Sequence, residues 1–141
     1  MCSTTKGFTL IEIMLVVIII GLLAAVAVPR LVGKGKEARI SIAKSDINSN
    51  IPTALDFYEL DNGAYPTTEQ GLQALTEKPN STPTPVNWNG PYLKKLPKDP
   101  WGNAYNYKSP GDHNQSDFDL ASAGPDGTEG SQDDVTNWEK D

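Results

Sequence analysis

The chain has 141 residues, a formal net charge of −6, one histidine and one cysteine. That length suits one modest domain. The acidic balance leaves nucleic acid off the expected partners, and a lone histidine makes neither a zinc constellation nor a histidine-based triad by itself.

The first element is apolar. Residues 8–28 are 21 residues, about 31 Å as a helix at ~1.5 Å per residue, which matches a bilayer's hydrocarbon core. Glu12 lies inside this stretch, where a charge costs roughly 2.5 to 3.5 kcal/mol near a helix centre and less toward an end. Either it stays hydrated at the headgroups or it meets a cation on another chain, because no Lys, Arg or His occurs from residue 9 to residue 29. A cleaved secretory signal is the competing reading. Its apolar region would be shorter and would end in a small-residue site, of which residues 24–27 are a weak version. Cys2 lacks the apolar run of a lipidation site before it and reads as incidental; with no second thiol, no disulfide can support the small core.

A basic collar follows: Arg30, Lys34, Lys36, Arg39 and Lys44 against Glu37. It can face anionic headgroups, neighbouring subunits or solvent. Taken alone, it would hold the segment after the span in the cytoplasm.

The helical period continues through Ile40, Ala43, Ile47, Ile51, Leu55 and Tyr58, widened by Ala54 and Phe57, so one apolar stripe is expected to build the core. Gly33 and Gly35 weaken this helix, and Pro52, which lacks a donor, predicts a bend over residues 48–52. Gly63 is the expected left-handed stop. Thr68, with Gln70, Leu72 and Leu75, suggests a short capped helix. The prolines at 79, 83, 85 and 91 then make an irregular surface loop, with Trp88 as its anchor on the domain. The alternation of Tyr105 with Tyr107 and of Phe118 with Leu120, across a turn at residues 110–114, predicts two antiparallel strands facing the helix stripe. His113, in that turn, is expected to be solvated.

Nine of the eighteen acids lie between residues 111 and 141. Gly124, Gly127 and Gly130 let this tail curl, and Asp126, Asp133 and Asp134 can aim hard oxygens at one point, as calcium requires. The spacing is not that of an EF-hand. From chemistry alone the tail is either solvated or a cation site.

Two sets of residues carry a family resemblance. The run KGFTLIEIMLVVIIIGLLAAVAVP resembles the leader and N-terminal helix of type IV pilins and pseudopilins. DNGAYPTTEQGLQAL and GPYLKKLPKDPWGNAYNYKSPG are similar to blocks of the major pseudopilins of type II secretion systems, although the family's usual Asn-Pro-Tyr is here Asn103-Ala104-Tyr105. The resemblance implies a leader at residues 1–7, cut between Gly7 and Phe8 by a prepilin peptidase that also methylates the new amine at Phe8. It implies that Glu12 recruits the Phe8 amine of a neighbouring subunit, and that residues 8–29 form a transmembrane and polymerisation helix. Residues 30–141 would then be periplasmic, against the charge rule.

The implied fold is α+β, type IV pilin-like, with the long helix on a small antiparallel sheet and a C-terminal calcium loop. In the family that loop has an Asp followed seven and eight residues later by an Asp pair. The matching ligands are Asp126, Asp133 and Asp134, with the carbonyls of Ala123 and Thr128, around one structural Ca2+, and Trp138 would pin the loop's end. The implied role is the major subunit of a periplasmic filament, a homopolymer in the inner membrane that drives folded exoproteins through an outer-membrane secretin. Its implied partners are minor pseudopilins, the prepilin peptidase and an inner-membrane assembly platform. No catalytic residues are expected. A type IV pilus subunit, which usually carries a C-terminal cysteine pair, and a membrane-anchored calcium-dependent hydrolase working through carboxylates are the alternatives.

Overall fold

A computed structural model describes residues 7–139, with the side chains of residues 27–32 outside the described set. Most of the expected leader, including Cys2, therefore lies outside the described residues. The chain divides into two units, Met1–Glu37 and Ala38–Asp141. Helix α1 spans Leu10–Ser45. In the first unit every described side chain from residue 7 to residue 26 is exposed, Phe8 at 80% and Val26 at 62% among them. A helix apolar on all sides is stable only where something covers it. Among the described residues no helix is long and apolar enough to cross a membrane; the expected span runs into positions whose side chains are outside the described set.

The second unit is built on the expected stripe. Ala43, Ile47, Ile51, Ala54, Leu55 and Tyr58 are buried together with Leu72, Leu75, Tyr105, Phe118, Leu120 and Val135. Three consecutive steps of four residues, from 43 to 55, would carry a regular α-helix about 120° off line. The chain absorbs part of that drift in a π-helical turn at Asp46–Asn50, where the Ile51 N–H donates to the Asp46 carbonyl five residues back. Helix α2, Ile51–Asn62, then continues with Pro52 in its first turn, so the donor that proline lacks falls where the hydrogen-bond ladder changes from π to α. The bend expected at residues 48–52 is thus a widened turn: Ser45, Asn50 and Ile51 all keep right-handed helical dihedrals. Phe57 departs from the expected stripe and is 57% exposed, because it lies about 120° round the helix from Ile51. Gly63 ends α2 at φ 82°, its N–H donating to the Glu59 carbonyl.

The expected short helix is a 3-10 turn at Leu72–Leu75 whose N-cap, Gly71, makes no side-chain capping bond; the capping threonine serves the turn just before it and is Thr67, not Thr68. The Gln70 N–H donates to Thr67 Oγ1 at 3.2 Å and the Thr67 N–H to Gln70 Oε1 at 3.1 Å, a reciprocal capping box. Thr68 instead exchanges hydrogen bonds with the backbone of Ser109. Trp88 anchors the proline-rich loop as expected, donating from Nε1 to the Ala74 carbonyl at 2.9 Å and meeting Tyr92 edge to face.

Strands β1 (Asn106–Lys108), β2 (Asp119–Ser122) and β3 (Val135–Thr136) form one antiparallel sheet in the order β1-β2-β3, with Tyr107 opposite Leu120 and Ser122 opposite Val135. Two strands were expected; β3 is only two residues long and carries no alternation to read. Between β1 and β2 the chain wraps a carboxylate. Asp119 accepts the N–H groups of Asp112, His113 and Asn114 at 2.7 to 2.9 Å, and His113 Nδ1 lies 3.0 Å away. Burial opposes ionisation of Asp119, yet these bonds win and hold its carboxyl below the usual range. His113 is therefore not simply solvated: its ring stacks on Trp138, centroids 4.2 Å apart and 5° from parallel.

Candidate functional site

The tail of the second unit curls after β2. Gly124, Gly127 and Gly130 adopt φ of 65°, 67° and 83°, a region that side chains disfavour. Gly124 has a second constraint, since a Cβ there would stand 2.4 Å from the carbonyl oxygen of Asp133. The two ends of the loop touch at that point.

This closure brings Asp126, Asp133 and Asp134 together, with one carboxylate oxygen from each within 4.8 Å of the others. Backbone and hydroxyl donors orient them. The Thr128 N–H donates to Asp126 Oδ1 at 2.8 Å, the Gly130 N–H to Asp134 Oδ2 at 2.7 Å, and the Ser131 hydroxyl reaches Asp133 Oδ1 and Asp134 Oδ1. The Ser131 hydrogen bond is the first cause that keeps the Asp133 carboxyl below its ordinary range. Three hard anionic oxygens in one place fit a hard cation better than a soft one. Of the other expected ligands, Ala123 is buried directly after β2 and Thr128 is exposed on the loop; both would offer backbone oxygen.

Sequence reasoning missed Ser131 and the Gly124 contact. A Ser-x-Asp-Asp run, Ser131 to Asp134, was the available signal for the first; nothing local signals the second, which joins residues nine apart. It also missed a buried support behind the loop, where the Ser122 hydroxyl donates to Asp99 Oδ2 at 2.6 Å and Asp99 Oδ1 accepts the N–H groups of Trp101 and Asn103.

At the other end of the chain, Gly7 and Phe8 are exposed ahead of α1, and Glu12 lies in its first turn. Glu12 forms a reciprocal pair with Thr9: the Glu12 N–H donates to Thr9 Oγ1 at 3.3 Å and the Thr9 N–H to Glu12 Oε2 at 3.5 Å. That contact orients the carboxylate without neutralising it.

Residues 30–138 match the family described as "Type II secretion system (T2SS), protein G", and residues 2–28 match the "Prokaryotic N-terminal methylation motif". The chain belongs to the type II secretion system protein G family. It is 54% identical over 138 residues to a type II secretion system core protein G of Pseudomonas aeruginosa, covering 95% of each chain. It is 52% identical over 134 residues to the core protein G of Escherichia coli, covering 94% of this chain and 90% of that one. Its fold is similar to the crystal structure of the major pseudopilin from the type 2 secretion system of enterohaemorrhagic Escherichia coli, with a TM-score of 0.68 and 42% identity over 77% of this chain and 89% of that chain. The match over residues 30–138 spans the whole acidic loop, and the methylation motif spans Gly7, Phe8 and Glu12. Both expected sites thus fall inside the matched residues.

Proposed function

We propose that this protein is the major structural subunit of a type II secretion pseudopilus, a homopolymer that grows from the inner membrane into the periplasm and drives folded exoproteins through an outer-membrane secretin. The observation that carries this reading is likeness along almost the entire chain to relatives named core protein G, 54% and 52% identical over 94% or more of this chain. Residues 1–7 act as the leader, residues 8–29 as the anchor and polymerisation helix, and residues 30–141 as the periplasmic domain. The all-round apolar surface of the described N-terminal side chains supports this division, because such a helix needs lipid or neighbouring helices around it. The subunit does no bond-making chemistry; minor pseudopilins, a prepilin peptidase and an inner-membrane platform are its partners.

A prepilin peptidase cuts between Gly7 and Phe8 and methylates the Phe8 amine. Glu12 then takes the Phe8 amine of a neighbour as its counter-charge and sets the axial register. In the apolar surroundings of a filament an unpaired carboxylate is costly, so pairing and polymerisation are one event. The acidic loop holds one structural Ca2+ through Asp126, Asp133, Asp134 and the carbonyls of Ala123 and Thr128. Bound calcium supplies charge neutralisation that draws the two ends of the loop together.

The test is direct. Mass spectrometry of membrane-extracted protein is expected to give a methylated N-terminus at Phe8, and Glu12→Ala is expected to be processed normally yet form no filaments. A chain beginning at Met1, or normal filaments from the variant, overturns the reading.

A further inference from the structure

We propose that Asn89 is a site of spontaneous deamidation to aspartate and isoaspartate, and that the fold protects the other Asn-Gly pair, Asn62-Gly63. Two of the chain's asparagines precede glycine; all the others precede residues whose side chains hinder attack on the asparagine carbonyl carbon. In the reaction the Gly90 amide nitrogen, its proton taken by hydroxide or buffer base, bonds to Asn89 Cγ and expels ammonia. Water then opens the five-membered imide at either carbonyl, giving aspartate or a backbone lengthened by one methylene as isoaspartate.

The two pairs sit in opposite environments. Asn62 ends α2, with Nδ2 donating to the Tyr58 carbonyl at 2.9 Å and Oδ1 buried, while the Gly63 N–H is engaged by the Glu59 carbonyl at 2.6 Å. Attack at Asn62 requires the end of the helix to open. Asn89 is exposed, outside any helix or strand, in the proline-rich loop. Its own N–H donates to the Tyr92 hydroxyl at 3.0 Å, which leaves the side-chain amide and the Gly90 nitrogen out of that bond. Position 90 is also tied to glycine by packing, since a Cβ there would stand 2.4 Å from the Trp88 ring. The close fold of Trp88 over Gly90 therefore brings the labile pair with it.

The product matters locally. The Tyr92 hydroxyl that accepts from Asn89 also donates to Asp61 Oδ2 at 2.7 Å, so a carboxylate or an extra methylene at position 89 acts on the tie that joins this loop to the end of α2.

The experiment incubates the full chain in detergent at mildly alkaline pH and follows proteolytic peptides by mass spectrometry, with isoaspartyl methyltransferase labelling. The expected result is a growing amide-to-acid mass change with isoaspartate at Asn89, at least about tenfold slower conversion at Asn62 in the folded chain, and comparable rates at both sites in denaturant. Asn89→Gln, which leaves Gly90 in place, is expected to remove the signal. Equal rates at the two sites in the folded chain, or no conversion at Asn89 while the denatured chain converts there, overturns the proposal.

Discussion

Each carboxylate of the loop is held by neighbours that a single substitution can test. Asp126 touches the Thr128 N–H and converges with Asp133 and Asp134, three like charges whose repulsion a divalent cation relieves. Because metal that binds only the folded state stabilises it by mass action, adding calcium to the parent chain is expected to raise the melting temperature, and Asp126→Ala is expected to abolish that rise while changing the calcium-free melting temperature little. Thermal unfolding with and without chelator reads both. An unchanged melting temperature of the parent in calcium reduces the loop to a solvated acidic tail. The three carboxylates were legible at this scale because their spacing is local to the chain. The Gly124 contact with Asp133 was not, since it depends on how β2 and β3 pair.

The stripe expected from Ile40 to Tyr58 was legible apart from Phe57, which is exposed, and Ile40, which is only half-buried, for burial follows helical period wherever the helix lies on a core. What the period did not reveal is the π turn, whose cause is a run of four-residue spacings just ahead of Pro52. The widened turn contains Asp46, whose Oδ2 accepts the hydroxyl of buried Tyr105 at 2.8 Å and whose Oδ1 accepts Asn50 Nδ2 at 2.7 Å. A helix and the segment entering β1 are tied there by one hydrogen bond to a charged group, which is worth roughly 1.5 to 3 kcal/mol. Tyr105→Phe keeps the ring and loses the bond, so a destabilisation near the lower end of that range is expected in urea unfolding, with the m-value unchanged. No loss of stability, or a changed m-value, would mean that the tie between helix and sheet lies elsewhere. Thr67 shows a smaller version of the same limit: of two adjacent threonines one caps a turn through Gln70 and the other bonds the distant Ser109, a partner that local sequence does not name.

At the scale of the whole second unit, the tyrosines form a set. All five titrate above their ordinary value of 10.0, and burial is the first cause for each. Packing accounts for it: Tyr58 meets Tyr92, and Tyr65 and Tyr107 flank Phe118. Four hydroxyls also donate, Tyr65 to Asp56, Tyr92 to Asp61, Tyr105 to Asp46 and Tyr107 to the Pro66 carbonyl, so ionisation would remove a donor and set a phenolate beside an acceptor. The sign follows from linkage. The unfolded chain releases these protons near pH 10, whereas the folded chain still holds them, so the unfolded state binds fewer protons and stability falls as pH rises. The stabilising contribution is complete below pH 10 and is lost progressively toward the higher folded values. Alkaline titration is therefore expected to show phenolate absorbance appearing together with loss of native circular dichroism, in one cooperative transition above pH 10. Independent titration of the tyrosines near 10 with the native signal retained would show that their burial does not hold this domain together.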